Sequence, residues 1–391
     1  MSPANNNRIQ GLTTIRAFAA LHVVFYHMWG HYMPLCQAGW LYDRFVNIGY
    51  VGVNLFFILS GYILSYVYLS SAPEPLVDKG KFWKARFARI YPVYAFAFIL
   101  EIPLVIEHVL QRSDHLRESL IALVTLAANL SLVQAWDMVL KWRWNYPSWT
   151  LSVEALFYFL FPLLGVWIWK KSHKGSLLPW MGACYFLLLA PSFLWWATHP
   201  RIPENQSPEW LFVQPLFRMP EFTLGVLLMK LQHRWDLEQR AERFAPLLFW
   251  GSLAALAGGF AASGLVPVYV LRSGVLDPAF MGLILGIALS KGPVAALLSA
   301  GPLVLLGEAS YSTYILQAPL QEWVDRIGTA FNVSFCSSGS TNHPLVFTAY
   351  LVLLLAGSIL SFKYIEVPMR DLIRKTRIEL PGWAFRWDPS K

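Results

Sequence analysis

The sequence predicts an all-α polytopic membrane protein of about ten transmembrane helices with both termini cytoplasmic, plus a re-entrant or interfacial segment near 118–136. Three observations carry that prediction. The 391 residues are 56% hydrophobic, 16% aromatic and only 14% charged, too few polar residues to clothe one soluble core of this size. Apolar stretches of about 20 residues, the length a helix needs to cross hydrocarbon, recur along the whole chain. The basic residues gather in the short stretches between them, which is how a membrane protein records its topology.

Taken in order, the apolar segments are 12–30, 48–69, 90–110, 118–136, 149–169, 177–197, 209–231, 244–264, 268–290, 303–327 and 345–366. Crossing by all of them would place the Lys170–Lys174 loop, the Lys230–Arg243 loop and the Arg370–Arg377 tail outside, against the positive-inside rule. Segment 118–136 is interrupted by Asn129, Ser131 and Gln134 and runs into a Trp-rich polar stretch, so it is the one that does not cross. Ten crossings then leave 21 of the 31 basic residues in cytoplasmic stretches. Seven lie outside, and Arg16, Arg218 and Arg272 fall within spans. The first segment carries Arg16, His22 and His27 with no small-residue cleavage site, so it reads as a retained span.

The organisation expected is a single transmembrane domain over 1–368 and a short basic cytoplasmic tail over 369–391, in a multi-pass membrane protein. The net charge of +8 reports topology here, not nucleic-acid binding, and the partner every span implies is the lipid bilayer. Metal-ligand spacing, nucleotide-binding glycine loops and internal repeats are absent from the sequence, so no metal is expected. Cys36 and Cys336 both fall in outward-facing loops, where a disulfide and two separate thiols are both open. Oligomeric state leaves no trace.

An arginine within a span costs at least about 2 kcal/mol unless paired or hydrated, so Arg16 marks a polar interior. Eleven residues separate it from His27. Eleven helical steps return to nearly the same face, which sets both side chains toward one interior about 16 Å apart along the axis. Glu154 opens the fifth segment, and a helix starting at the outer surface would put it about 8 Å below that surface, at the depth of His27. The two are therefore expected to meet, the carboxylate orienting the imidazole as a base. Arg86 and Arg89 lie three apart on a short basic helix, either as an ordinary cytoplasmic anchor or as a bidentate phosphate site. Arg218 and Glu221 are spaced i, i+3 and read as neutralising each other. His22 lies on another face of the first helix and reads as an interhelical hydrogen-bond donor. Trp142, Trp144 and Trp149 crowd the outer mouth, as interfacial belt or as platforms for a sugar ring.

Together these motifs resemble the acyltransferase-3 family of membrane O-acyltransferases, over nearly the whole chain. The motifs are the Arg16 and His27 pair, Phe56–Gly61, Arg86 and Arg89, the Trp149–Glu154 run, Leu306–Ser312, and Tyr364–Glu366 ahead of Pro368. The resemblance implies transfer of an acyl group, acetyl first among them, from cytoplasmic acyl-CoA to a hydroxyl of a glycan or other small-molecule acceptor. In that scheme Arg86, Arg89, Arg16 and Ser60 hold the donor, and His27, Glu154 and Arg16 are catalytic, His27 acting as base or as transient acyl carrier. Asn54, Ser60, Trp149, Arg218 and Glu221 then serve as oxyanion or acceptor contacts. Three positions depart from the family pattern: Asn54 in place of aspartate, Ala155 in place of a second glutamate, and Gln317 in place of histidine. The competing reading is a transporter of an anion or glycan that uses the same intramembrane charges without covalent chemistry.

Overall fold

The computed structural model describes residues 3–37, 39–70, 76–171, 176–199, 208–331 and 342–376. They form a helical bundle in this order: α1 (Pro3–Tyr32), α2 (Trp40–Arg44), α3 (Gly52–Tyr68), α4 (Lys79–Leu110), α5 (His115–Leu130), α6 (Trp149–Lys171), α7 (Leu178–Thr198), α8 (Trp210–Val213) and α9 (Pro215–Arg234). There follow α10 (Ala241–Ala261), α11 (Val268–Arg272), α12 (Asp277–Leu289), α13 (Pro293–Leu298), α14 (Gly301–Glu308), α15 (Ser310–Ala330), α16 (Pro344–Ser361) and α17 (Val367–Lys375). Cys336, the segment 377–391 of the expected tail and most of the Lys171–Lys174 loop lie outside the described residues.

Nine helices or helix pairs among the described residues are long and apolar enough to cross a bilayer. A tenth, α15, has the length at 21 residues but carries Gln317, Gln321, Glu322, Asp325 and Arg326. Its polarity has a cause, because it packs against α1 and lines the interior that α1 encloses. Among the described residues the fold is therefore the expected membrane-spanning helical bundle.

Local signals set the ends of these helices. Asp78 caps α4 by accepting from the Lys81 backbone N–H at 3.0 Å, and Asp114 does the same for α5 through Arg117 at 3.0 Å. α5, at 16 residues, is not among the helices long and apolar enough to cross. It turns back beside α4, and its last turn meets mid-α4, where the Tyr94 and Tyr91 hydroxyls donate to the Asn129 and Leu130 carbonyls. Short 3₁₀ turns carry the chain from there to α6, and Ser148 lies against Asn129 and Gln134. Tyr94 is 16 residues below the end of α4, so α6 starts about 24 Å inside that end of the bundle.

Two spans are broken. Gln214 and Pro215 separate α8 from α9, and the turn Ser273–Leu276 separates α11 from α12, with Gly274 at a φ of 98° that a side chain would strain. At the centre of the bundle α3 and α9 cross backbone to backbone. A Cβ on Gly61 would sit 2.0 Å from the Phe222 carbonyl oxygen, and one on Gly225 would sit 2.0 Å from that of Ile58.

Candidate active site

Two small cavities lie end to end along α1. One, of about 50 Å³, is lined by Arg16, Phe56, Thr150, Glu154 and Tyr311. The other, of about 90 Å³, is lined by His27, Tyr26, Tyr50, Trp149, Arg218 and Arg272. Val53 and Tyr314 line both, so these two side chains form the wall between them. The spacing on α1 puts Arg16 in one chamber and His27 in the other, on one face of one helix.

In the first chamber Arg16 makes no hydrogen bond or ion pair among the described residues, although Arg89, Glu366, Glu154 and Tyr158 all lie within its electrostatic reach. An arginine held without a partner in a buried, largely apolar cavity is a ready anion site. Glu154 accepts from the Tyr158 hydroxyl at 3.0 Å, and Ser60 also lies against that hydroxyl. Glu366 sits in a π-helical turn over Phe362–Glu366, and such turns interrupt helices where a side chain has to be re-aimed. The turn brings its carboxylate, fully buried, onto Arg89. Arg86 and Arg89 thus part company. Arg89 is engaged by Glu366, whereas Arg86 lies among the rings of Tyr68, Phe82 and Tyr158 with its Nε unpartnered.

In the second chamber the His27 Nδ1 lies 3.0 Å from Gln317 Oε1. Gln317 donates its Nε2 to the Tyr314 carbonyl at 2.8 Å, which leaves its oxygen, an acceptor only, facing the imidazole. The proton between them therefore sits on Nδ1, and Nε2 keeps the lone pair. The Tyr146 ring stands edge-on to the imidazole at 5.0 Å.

The broken spans deliver two arginines to the same place. Breaking a helix within a membrane frees carbonyls that must find donors. Arg218 donates Nε to the Phe212 carbonyl at 2.6 Å and Nη1 to the Arg272 carbonyl at 3.1 Å, while pairing with Glu221 at 2.6 Å. The expected Arg218–Glu221 pair is present, and it also satisfies both breaks. Arg272 itself remains available. Its guanidinium rests on the Tyr50 and Phe212 rings at 4.5 and 4.7 Å and donates to the Tyr26 hydroxyl at 2.7 Å, with no carboxylate partner among the described residues. Its Nε is buried without an acceptor.

Two sequence expectations need correction. Glu154 does not reach His27: α6 starts deep in the bundle instead of at its surface, so Glu154 falls at the depth of Arg16, and Gln317 takes its place at the imidazole. Asn54 does not line the His27 chamber either. Its amide is buried and donates to Asp277 at 3.2 Å and to the Arg272 carbonyl at 3.4 Å, so it supports the α11–α12 break. His22 is satisfied as expected, by the Phe45 carbonyl at 2.6 Å. Arg272 is the residue that sequence reasoning passed over. The signal available was a charge inside an apolar stretch, three residues before Val275 and two before a glycine able to break the helix.

At the mouth of the second chamber Lys141 pairs with Glu209 at 2.5 Å over the Trp142 ring. Burial pushes the Lys141 ammonium below its ordinary value of 10.5, and the Glu209 carboxylate pulls it partly back.

The chain is similar to known proteins over nearly its whole length. The family described as "Acyltransferase domain" matches residues 9–363. Acyltransferase MdmB of Streptomyces mycarofaciens is 26% identical over 389 residues, covering 95% of this chain and 94% of its own length. O-acetyltransferase OatA of Staphylococcus aureus is 22% identical over 375 residues, which is 93% of this chain but 57% of OatA. A putative O-acetyltransferase, SACOL0978 of the same species, is 23% identical over 415 residues, 98% of this chain and 59% of its own. The chain thus spans little more than half of each of these two staphylococcal proteins. No solved structure matches. With a family match that runs from the first turns of α1 into the π-helical turn of Glu366, the chain belongs to the acyltransferase-3 family and is a multi-pass membrane O-acyltransferase.

Proposed function

We propose that this enzyme moves an acyl group, acetyl in the first instance, from acyl-CoA to a hydroxyl of a glycan or other exported acceptor, across the wall formed by Val53 and Tyr314. The observation that carries the reading is the pair of abutting chambers, with an unpartnered arginine in one and an oriented histidine in the other. Donor enters from the end of the bundle that carries Lys79, Arg86 and Arg374, which faces the cytoplasm. Arg86 meets the phosphates there, Arg89 stays tied to Glu366, and Arg16 meets the acyl-pantetheine end. Acceptor enters from the Trp142 end.

His27 Nε2 removes the acceptor's hydroxyl proton as the oxygen attacks the thioester carbonyl carbon. The carbonyl oxygen becomes an oxyanion, which Arg272 is placed to stabilise. Collapse breaks the C–S bond, CoA leaves as thiolate, and the imidazolium returns the proton to it. The ester and free CoA are the products. A transient acyl-imidazole on the same nitrogen divides this into two steps with the same balance. Glu154, held by the Tyr158 hydroxyl, lines the donor chamber beside Arg16 and does not act on His27.

The test is acetyl-CoA binding and CoA-thiol release, measured on the protein in nanodiscs. Arg16→Ala and Arg86→Ala are expected to weaken binding. His27→Ala is expected to keep binding while release falls by about 10² to 10⁴. A His27→Ala protein that transfers at the original rate overturns the assignment, and a well-folded protein that binds no acyl-CoA overturns the donor.

A further inference from the structure

A much larger cavity, of about 860 Å³, opens between α4, α5 and α15 at the Trp142 end, a volume suited to a ligand of oligosaccharide size. Trp142 lines both this vestibule and the His27 chamber, so the two spaces adjoin.

The vestibule is acidic, and its charges are unevenly matched. Glu107 pairs with Arg326 and Glu118 with Arg143 at 3.1 Å, while Asp325 is hydrogen-bonded to His31 at 2.9 Å and accepts from the Gln321 amide at 2.6 Å. Two carboxylates are left over. Glu322 makes no ion pair or hydrogen bond among the described residues. Glu101 is only 2% exposed and lines the same cavity. Its Oε2 accepts from the Asn145 backbone N–H at 3.0 Å, its Oε1 has no partner, and Glu322 lies within its electrostatic reach. The Trp144 indole N–H beside them is also buried without an acceptor.

An unpaired carboxylate buried to this degree is costly, more so beside a second one, and a neutral hydroxyl supplies no countercharge. A protonated amine removes the conflict. The half-exposed Trp142 indole adds an apolar face of the kind a sugar ring stacks on, and the Trp144 N–H offers a donor to a ring hydroxyl. We propose that the vestibule is the acceptor site and that it selects a cationic glycoside, an amino sugar whose ammonium sits between Glu101 and Glu322 and whose hydroxyl is presented past Trp142 to His27. This deepens the transferase reading above and rests on it for the role of the bound sugar.

The experiment compares binding of tri-glucosamine with binding of its fully N-acetylated counterpart, near neutral pH, to the full chain in nanodiscs. The two probes share a backbone and differ in charge. Preference for the amine by about tenfold or more is expected, the scale of a charge-assisted hydrogen bond. It should shrink as salt is added. Glu322→Gln, isosteric and at the cavity surface, should erase most of that preference, and Glu101→Gln should do likewise, with monodispersity checked for each. Equal affinity for the two probes overturns the proposal, as does no saturable binding of tri-glucosamine or a preference that survives both substitutions. Acetyl-CoA binding on the same wild-type preparation separates the two readings. Amine preference without acetyl-CoA binding leaves a sugar site and removes the transferase mechanism, while acetyl-CoA binding without amine preference does the reverse.

Discussion

Gln317 Oε1 accepts the Nδ1 proton of His27 at 3.0 Å, and the Tyr314 carbonyl, accepting from the same amide at 2.8 Å, fixes which way the amide faces. The imidazole is thereby held in the tautomer that carries its lone pair on Nε2. The partner is neutral, unlike the carboxylate of a Ser-His-Asp triad, so it orients the ring without adding charge. Gln317→Leu should slow transfer by about tenfold or more while leaving acetyl-CoA binding in place. Equal turnover in the variant would show that the ring needs no such support.

Arg272 tests the oxyanion assignment. Arg272→Met should lower turnover by about 10² to 10³ with acetyl-CoA affinity little changed, and Arg272→Lys should restore part of it. If affinity collapses and turnover of bound donor does not, Arg272 belongs to donor binding.

The Arg89–Glu366 pair distinguishes structural from donor-binding arginines. Arg89→Ala strands a fully buried carboxylate and should cost about 3 to 5 kcal/mol, whereas the double replacement Arg89→Met with Glu366→Leu should recover most of that stability. Thermal melting in detergent reads both. Recovery of stability together with acetyl-CoA binding would confine phosphate recognition to Arg86 and Arg16.

Gly61→Ala and Gly225→Ala should each destabilise the fold by about 1 to 3 kcal/mol or more, since the added methyl meets a carbonyl oxygen of the facing helix. Gly258→Ala, with open space around the new methyl, is the matched control and should be neutral or slightly stabilising.

Lys141 gives a pH signature. Its folded pKa lies below the unfolded value of 10.5, so between those two values the unfolded chain binds more protons and stability rises with pH. Lys141→Met should flatten the rise in melting temperature on approaching pH 10.5. An unchanged slope would place the titration elsewhere.

The legible part of this molecule was written in apolar length and charge placement. The crossings, the exclusion of 118–136, the shared face of Arg16 and His27 and the Arg218–Glu221 pair all follow from spacing along single helices, which is local information. The tenth span escapes an apolarity test because α15 exchanges hydrophobicity for Gln317, Glu322 and Asp325. What stayed hidden depended on where helices begin in depth. Nothing in the run from Asn129 to Ser148 says that it descends to meet Tyr94, and without that descent Glu154 is assigned to the wrong chamber. Arg272 was equally obscure, because its use depends on two separate helix breaks meeting around one cavity.

Val53 and Tyr314, described above as the wall between chambers, bear on the cell as well as on the reaction. In the proposed reaction the two chambers are filled from opposite faces, and a free passage between them would dissipate the ion gradients of the membrane. Val53 and Tyr314 are the two side chains that line both and so stand between them. In the proposed transfer an acyl carbonyl of a few ångströms crosses in one direction and the acceptor's proton in the other, while the bulk of the donor and the acceptor stay on the sides where they began.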